Sequence, residues 1–240
     1  DIETTPDPNA PADLVPADGS FPKPFAHQVV TISYLKATLG ADDIYRLEAV
    51  GSLTSASETE PDLLAKFWRG LARSVPSVVT WNGRGFDLPV LHYRGLLHGA
   101  VAPRYWDEGD GDKEFRFNNY INRFHKRHTD LMDVLAGYQM QSAAPLDEIA
   151  ALAGFPGKMG MDGAQVLDAW LAGEVDGIRH YCETDVLNTY GVYLRWLLNA
   201  GHLTPDELEQ ELTLLADHLR KRDEPHLTDF LNTWEAVHGA

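Results

Sequence analysis

Runs of β-branched and aromatic residues alternate with a segment of helical apolar spacing in the first third of the chain. Strand-like runs cover residues 27–35, 44–53 and 77–81, and the last of them ends at an Asn-Gly turn. Over residues 61–74 the apolar positions recur three and four residues apart, which predicts a helix. This order of elements predicts an α/β fold in which the two long runs flank the opening strand, residues 1–3, in antiparallel orientation.

The rest of the chain has mainly helical spacing, with one further short strand predicted at residues 127–131. Thr204 is followed three residues later by Glu207, which is the capping-box pattern of a helix N-terminus. Because there is no internal repeat, we expect a single domain over residues 1–240, with residues 201–240 as a helical C-terminal extension. Other helices are predicted at residues 145–153, 163–172 and 175–200.

A proline-rich segment separates the opening strand from the second one. Residues 5–24 hold six of the 14 prolines, so we expect this segment to lack regular structure. An irregular segment of about 20 residues is uncommon in a compact domain unless it has a functional role. The chain starts at Asp1 without a methionine, and we expect a processed or trimmed chain whose first strand begins before Asp1.

The amino-acid composition disfavours several classes of protein. Of the 240 residues, 44% are apolar and 23% charged, as in ordinary globular proteins, and no apolar run approaches the roughly 20 residues of a membrane span. The single cysteine, Cys182, cannot form an internal disulfide and fits a reducing, cytoplasmic location. The formal charge of −16 disfavours proteins that coat phosphates with positive charge. A nucleic-acid enzyme is still compatible with it, because divalent metals held by carboxylates supply positive charge.

Acidic residues suited to metal binding occur at three separate places. Asp1 and Glu3 are two apart on a predicted strand, so their side chains leave the same face. Asp87 comes before an apolar helical segment, shortly after the Asn-Gly turn. Tyr181 and Asp185 are four apart in a predicted helix, so their polar ends can converge on one point.

Each of these places also has an ordinary structural interpretation. The opening pair can be an exposed strand end, and the tyrosine can lie at the edge of its helix. Asp87 can be a helix N-cap, a position that aspartate often takes. Glu183 lies on another face of the helix than Tyr181 and is expected to be solvated.

Taken together, the three places follow a specific order: Asp-x-Glu on the opening strand, Asn-Gly-x-x-Phe-Asp after a central strand, and Tyr-x-x-x-Asp on a late helix. That order resembles the three motifs of the 3′–5′ exonucleases with four acidic ligands and a tyrosine. It resembles in particular the stand-alone bacterial proteins related to the proofreading exonuclease domain of family-B DNA polymerases. The resemblance spans Asp1 to about Arg195 and includes the segments GFPGKMGMDG (154–163) and YCETDVLNTY (181–190).

The resemblance implies a ribonuclease H-like fold with a mixed five-stranded sheet flanked by helices. It also implies Asp1, Glu3, Asp87 and Asp185 as ligands of two divalent ions, with Tyr181 as the group that positions the attacking water. Carboxylate oxygens suit Mg²⁺ or Mn²⁺, and two such ions can activate water and hold the leaving oxygen. A tyrosine with a pKa near about 10 is a poor general base at neutral pH, so we expect Tyr181 to orient the water rather than deprotonate it.

The implied substrate is single-stranded nucleic acid or a frayed end, degraded from its 3′ end to nucleoside 5′-monophosphates. By the same resemblance, the backbone near Thr4 contacts the terminal 3′-hydroxyl. Phe86 can stack on the terminal base or anchor its own turn, and Asn82 can contact the substrate backbone or only shape the turn. The polymerase relationship favours DNA over RNA, and a polymerase or repair partner acting in trans is left open.

Two other functions stay open at this point. The opening DIETT resembles the nucleophile loop of haloacid-dehalogenase-type phosphatases, although Glu3 replaces the usual second aspartate and YCETD has no role there. The other alternative is a catalytically inactive nucleic-acid-binding relative, which the intact motif residues argue against.

Two further segments can meet a substrate or be purely structural. The basic stretch 122–128, with Tyr120 and Phe124 close by, can guide a strand or form a solvated surface. The glycine-rich segment 154–163 lacks the Ser/Thr that follows the lysine of a P-loop, so we expect a structural loop around Lys158.

Overall fold

The protein is described here by a computed structural model that covers residues 1–11, 15–16 and 21–238. The irregular structure expected for residues 5–24 therefore lies partly outside the described residues. Within them, the first strand continues through Pro6 and a short 3₁₀ helix begins at Pro24, so regular structure enters this segment from both ends. Proline is compatible with both positions, because it sits at the end of an edge strand and in the first turn of a helix.

The described strands form two sheets. An antiparallel sheet contains β1 (Ile2–Pro6), β2 (His27–Leu39) and β3 (Tyr45–Thr54) in that order, and β4 (Val78–Thr80) pairs in parallel with β5 (His128–Asp130). Their hydrogen bonds thus give a three-stranded and a two-stranded sheet, and the single five-stranded sheet expected from the resemblance is not observed.

The middle strand of the larger sheet is β2, and the expectation that both long runs flank the opening strand was wrong. The reason is length: β2 has 13 residues, so its first part pairs with β1 and its remainder pairs with β3. A register shift between Glu3 and Thr4 places an extra residue of β2 opposite this point of β1.

The predicted helices are present within one or two residues of their expected bounds, except that residues 163–165 form a separate 3₁₀ turn before α5. Thr204 and Glu207 make the expected capping box at the start of α7. In the part of the chain that the structure describes, no helix is both long and apolar enough to span a membrane. The helices are α1 (Glu60–Ser74), α2 (Asp87–His98), α3 (Leu131–Leu135), α4 (Leu146–Leu152), α5 (Val166–Leu171), α6 (Val175–Asn199), α7 (Pro205–Arg220) and α8 (Pro225–His238).

Two large apolar clusters hold these elements together. One packs α1 and α2 against β1 and β2, around the fully buried Leu63 and Leu64. The other joins α6 to α7 and α8, around Leu194, Leu215 and Phe230. The helices after residue 201 therefore share a core with α6, which itself contacts all three strands of the larger sheet and β4.

The glycine-rich segment 154–163 is a loop that follows α4 and is hydrogen-bonded to α6, which agrees with the structural loop expected around Lys158. The fully buried Asn188 side chain accepts a hydrogen bond from the Gly157 amide (3.1 Å) and donates one to its carbonyl (2.7 Å). Gly157 has φ +66°, and a Cβ at this position would lie 2.6 Å from the Asp147 carbonyl oxygen. Lys158 is exposed and pairs with Asp162 at 2.8 Å.

Candidate active site

An open cleft of about 510 Å³ lies where β1, the proline-rich segment, the β4–α2 turn, α4 and α6 meet. Three carboxylates from distant parts of the chain, Asp1, Asp87 and Asp185, line it together. The remaining lining residues are Phe21, Pro22, Pro24, Trp81, Asn82, Gly85, Phe86 and Leu146. The proline-rich segment thus forms part of the wall of this cleft.

The start of β1 contributes two acidic side chains. Ile2 is buried in the core, so Asp1 and Glu3 on either side of it project to the other face of the strand, where both are half-buried. One carboxylate oxygen of each lies within 4.8 Å of the other and of the Cys182 sulfur. The strand is held here by a hydrogen bond from the Ser33 amide to the Asp1 carbonyl.

Asp87 is the first residue of α2, and the N-cap position belongs to Phe86, which makes no side-chain cap. The interpretation of Asp87 as an N-cap was therefore wrong. Its side chain is 7% exposed, and its carboxylate interacts with its own amide and with the amide of Ile2, which connects α2 to β1. These two amides leave carboxylate lone pairs free for a further partner.

Tyr181 and Asp185 lie one turn apart on α6, and both are half-buried. The tyrosine hydroxyl interacts with the Asp185 carboxylate, which offsets part of the rise that burial causes in the pKa of that carboxyl. Burial and the negative charges of Asp185 and Glu3 raise the pKa of Tyr181. The phenol therefore stays protonated at neutral pH and can donate a hydrogen bond, but it cannot take up a proton.

The electrostatics of the cleft favour a cation. Burial raises the pKa of Glu3 well above its usual range, and the charges of Asp185 and Asp87 add to that effect. Burial likewise raises the pKa of Asp87, and it raises the pKa of Asp185 to about 7. Crowded carboxylates of this kind are stable as anions once cations are bound among them. The donor set of hard oxygens fits Mg²⁺ or Mn²⁺.

Cys182 is a neighbour of this site that the sequence did not point to. It is fully buried, and its thiol donates to Asp1 Oδ2 at 3.4 Å. Burial and the charge of Glu3 raise the pKa of the thiol, which fits its role as a hydrogen-bond donor to the carboxylate. Its position three residues before Asp185, on the same helical face, is the signal that could have identified it.

Asp130 is a second residue that sequence reasoning missed. At the end of β5 its buried carboxylate accepts hydrogen bonds from the amides of Asn82 (3.0 Å) and Arg84 (2.8 Å), which fixes the turn between β4 and α2. Asn82 itself has φ +57°, a left-handed conformation that asparagine tolerates. The parallel pairing of β4 and β5 brings their carboxyl ends together. The available sequence signal was the position of Asp130 near the end of the short strand predicted at residues 127–131.

Glu183 is buried (2% exposed), and the expectation that it is solvated was wrong. It accepts hydrogen bonds from Ser52 and His226, each at 2.6 Å, and pairs with Arg179 at 3.1 Å. Glu183 lies on a face of α6 that β3 and α8 cover. The residue pattern of α6 alone does not show that other elements pack against this face. Glu183, Glu224 and His226 could hold a metal ion by spacing, but Arg179 and Arg222 already balance the two glutamates.

Two of the three residues expected to contact substrate are among those that line the cleft, and Thr4 is not. Asn82 and Phe86 line it directly. The Thr4 hydroxyl is bonded to the ring of His27 (2.9 Å), and His27 in turn packs against Phe86 and Phe21. The predicted roles of these residues in substrate binding stay predictions.

Backbone carbonyls in and just before the basic stretch 122–128 are hydrogen-bonded to Arg84, which lies in the turn between β4 and α2. The Arg84 guanidinium donates to the carbonyls of residues 120, 121, 122 and 128. Arg123 pairs with Asp133 at 2.9 Å, while the Phe124 ring is 69% exposed. The contacts of this stretch are thus largely structural, and its contact with a substrate stays a prediction.

Comparison with known proteins identifies the family of the chain. A search of curated proteins gave no significant match. A family model described as a predicted 3′–5′ exonuclease related to the exonuclease domain of PolB matches residues 19–234, which include Asp87, Tyr181 and Asp185. Asp1 and Glu3 precede the matched region; Asp1 lines the cleft, and a Glu3 carboxylate oxygen lies within 4.8 Å of one of Asp1. The chain belongs to this family of predicted 3′–5′ exonucleases related to the PolB exonuclease domain.

Proposed function

We propose that this protein is a metal-dependent 3′–5′ exonuclease that removes nucleotides from single-stranded or frayed 3′ ends and releases nucleoside 5′-monophosphates. The observation that carries the proposal is the convergence of Asp1, Asp87 and Asp185 at one cleft, with the Glu3 carboxylate next to Asp1. The pKa values of Glu3, Asp87 and Asp185 are raised. Membership of a predicted exonuclease family supports the same reaction.

In this mechanism Asp1, Glu3, Asp87 and Asp185 would hold two divalent ions, Mg²⁺ or Mn²⁺. Bound ions of this kind supply positive charge for activating water and for stabilising the leaving oxygen. Tyr181, which stays protonated, donates a hydrogen bond and orients the attacking water. The tyrosine is thus a positioning group rather than a general base.

The rest of the cleft suits a nucleotide at a strand end. Phe86 and Phe21 offer aromatic faces on which a terminal base can stack, and such stacking tolerates any base. Thr4 and Asn82 supply polar groups for the terminal sugar and the backbone. The relationship of the family to a DNA polymerase favours DNA over RNA as substrate.

We also propose that the chain is one domain of ribonuclease H-like type, with the segment after residue 201 as an integral helical part of it. The shared core of α6, α7 and α8 supports this organisation. The link between Asp87 and the Ile2 amide supports a close approach of α2 to the first strand. A cytoplasmic location and a polymerase or repair partner in trans stay predictions.

The phosphatase alternative has less support. It would use Asp1 as a nucleophile and leaves Asp87, Asp185 and Tyr181 without a role, although two of these line the same cleft as Asp1. The inactive-relative alternative predicts binding of a strand without cleavage, and an activity assay separates it from the proposal.

The deciding experiment uses oligonucleotides labelled at the 5′ end: single-stranded DNA and RNA, blunt duplex DNA, and duplex DNA with a mismatched 3′ end. Each is incubated with Mg²⁺, Mn²⁺ or EDTA. We expect a ladder shortening by one nucleotide at a time from the 3′ end, dependent on metal, and faster on single-stranded and mismatched DNA. Intact substrate in both metals, or shortening in EDTA, would contradict the proposal, and hydrolysis of a small phosphomonoester alone would favour the phosphatase.

A further inference from the structure

Residues 115–129 carry positive charge in a protein whose formal charge is −16. The stretch contains no acidic residue, and its four cations are Arg116, Arg123, Lys126 and Arg127. Among the described residues, its only ion pair joins Arg123 to Asp133 at 2.9 Å, so the other three cations have no carboxylate partner there. Cations that are not neutralised by carboxylates are available to bind phosphate groups.

Two aromatic rings lie beside Arg123 at the surface. Phe124 is 69% exposed, and its ring centroid lies 5.0 Å from that of Tyr138, which is 38% exposed. The guanidinium carbon of Arg123 lies 5.0 Å from the centre of the Tyr138 ring and 6.0 Å from that of Phe124. Lys126, two residues after Phe124, is also exposed. We call Arg123, Phe124, Lys126 and Tyr138 the aromatic–basic patch.

The loop that carries this patch is attached to the turn that forms one wall of the cleft. Arg84 lies in that turn, next to Gly85, which lines the cleft, and its guanidinium donates to the Asn122 carbonyl at 3.3 Å. The amide of Phe124 donates to the Asn122 side chain at 2.9 Å. A single arginine side chain therefore spans the distance from the cleft wall to the loop of the patch.

A second connection to the cleft runs through α3. The Asp130 carboxylate accepts hydrogen bonds from the amide of Asn82, which lines the cleft, and from the amide of Asp133 in the first turn of α3. Asp133 in turn pairs with Arg123, and Tyr138 follows the end of α3. Two sets of hydrogen bonds thus hold the aromatic–basic patch in a fixed position beside the cleft.

Exposed rings next to unneutralised cations suit one class of ligand. Proteins that hold single-stranded nucleic acid without regard to sequence stack bases on aromatic side chains and bind the phosphates with Lys and Arg. A double helix does not fit this combination, because its bases are stacked on one another and leave no face for a protein ring. The patch therefore suits an unpaired strand.

We propose that the aromatic–basic patch binds the single strand upstream of its 3′ end, with a base stacked on Phe124 and phosphates held by Arg123 and Lys126. The placement of the 3′ end itself in the cleft rests on the proposed exonuclease function. The patch assigns to the enzyme a preference for ends with several unpaired nucleotides over ends with only one. This preference is independent of sequence, because neither stacking nor phosphate binding reads the base.

The first test measures binding without cleavage. Its probe is a single-stranded DNA of about 15 nucleotides with a fluorophore at the 5′ end and phosphorothioate linkages at the 3′ end, which resist hydrolysis. Fluorescence anisotropy in Mg²⁺ gives the Kd. Phe124→Ala should raise the Kd by about tenfold, the effect of one stacked base. Lys126→Gln should raise the Kd and make it less sensitive to sodium chloride, because one phosphate contact is lost.

Three further variants separate the patch from general effects of charge and stability. Tyr34→Ala removes an exposed ring on β2 and Arg69→Gln an exposed cation on α1, and each should leave the Kd within about twofold. Asp133→Asn removes the negative charge beside Arg123 and should tighten binding by about twofold. A loss of stability cannot produce such a gain.

The second test compares KM values for removal of the first nucleotide from a dinucleotide and from a strand of about ten nucleotides. Both nucleotides of a dinucleotide flank the scissile phosphate and therefore lie in the cleft, so only the longer strand reaches the patch. Phe124→Ala should lower the ratio of the two KM values by about tenfold. Phe86→Ala, in the cleft, should raise both KM values and change their ratio much less.

The outcomes are distinct from those of the exonuclease assay. If no strand is shortened but Phe124→Ala and Lys126→Gln weaken binding as expected, the exonuclease function fails and the patch stands as a strand-binding surface. If strands are shortened while folded Phe124→Ala keeps the original Kd and KM ratio, the exonuclease stands and the role of the patch is refuted. Equal losses in Tyr34→Ala would also refute it, and a protein that neither binds nor shortens strands would overturn both proposals.

Discussion

At the scale of single residues, Asp185 shows most directly what the cleft requires. Its carboxylate is half-buried among other acidic groups, and burial raises its pKa to about 7. Tyr181, one turn before it, offsets only part of that effect. A carboxylate in this position is an unfavourable anion by itself and a favourable one beside a divalent cation.

We therefore expect Asp185→Ala or Asp1→Ala to abolish metal-dependent strand shortening, a loss of at least about 1000-fold. Tyr181→Phe removes only a positioning hydrogen bond and should leave residual activity, about 100-fold below the original. Single-turnover rates on 5′-labelled DNA measure both effects. Asp176→Ala, at the exposed start of the same helix, serves as the control and should stay within about twofold. Full activity in Asp185→Ala would refute the assignment.

Glu183 lies two residues before Asp185 on α6, but its pKa is lowered rather than raised. Burial would raise its pKa, but hydrogen bonds from His226 and Ser52 and the charge of Arg179 bring the pKa to about 2. A glutamate with a pKa near about 4.3 in the unfolded chain then stabilises the fold when it is ionised. The group is structural, although it lies on the same helix as the proposed ligand Asp185.

We expect Glu183→Gln to lower the free energy of unfolding by about 3 kcal/mol near neutral pH, the equivalent of the pKa shift. Because the folded-state pKa is depressed, this stabilisation is fully present above about pH 4.5 and disappears as the pH falls toward about 2. Denaturant unfolding of both proteins across this range measures the difference. A difference that stays constant as the pH falls would contradict the ionic origin.

At the scale of elements, Arg94 on α2 joins the end of β1 to the start of α1. Its guanidinium is 5% exposed and pairs with Asp7 and with Glu60, whose Oε1 also accepts a hydrogen bond from the Val29 amide at 2.7 Å. One cation therefore orients two helices and two strands relative to one another. The first residue of α2 is Asp87, so this network also fixes a wall of the cleft.

Arg94→Leu should destabilise the protein by about 3–5 kcal/mol, because it leaves the buried Asp7 and the partly buried Glu60 without their guanidinium partner. Arg69→Leu, an exposed arginine on α1, should change stability by less than about 0.5 kcal/mol. Urea unfolding followed by circular dichroism measures both. Similar small losses in the two variants would mean that Asp7 and Glu60 find other partners.

The elements themselves could be predicted from the sequence because their signals are local. Apolar spacing defines α1, and the Thr204–Glu207 box defines the start of α7, and both were predicted correctly. Strand order and the burial of Glu183 depend on which elements meet in space, which no local pattern encodes. The partners of the motif residues, Cys182 beside Asp1 and Asp130 at the β4–α2 turn, were missed for the same reason.

At the scale of the whole molecule, the formal charge of −16 means that negative charges repel one another, and the acidic cleft is one place where this repulsion is concentrated. Without metal, ionisation of Asp185 opposes folding, since its folded-state pKa of about 7 lies above its usual value. The folded protein is therefore more stable when Asp185 is protonated. This contribution to stability is fully present at low pH and is lost as the pH rises through about 7. Bound divalent ions would reverse this penalty, so metal binding and stability should be linked.

We therefore expect millimolar Mn²⁺ or Mg²⁺ to raise the Tm by about 5 °C or more near about pH 7.5, and by clearly less near about pH 5, where protons compete for the same carboxylates. Thermal unfolding by circular dichroism measures the shift. Because any salt screens a strongly negative protein, sodium chloride at equal ionic strength is the control. Asp185→Ala should lose the metal-specific part of the shift and keep the screening part. A shift of equal size in sodium chloride, or an undiminished shift in Asp185→Ala, would mean that the cleft does not hold the metal.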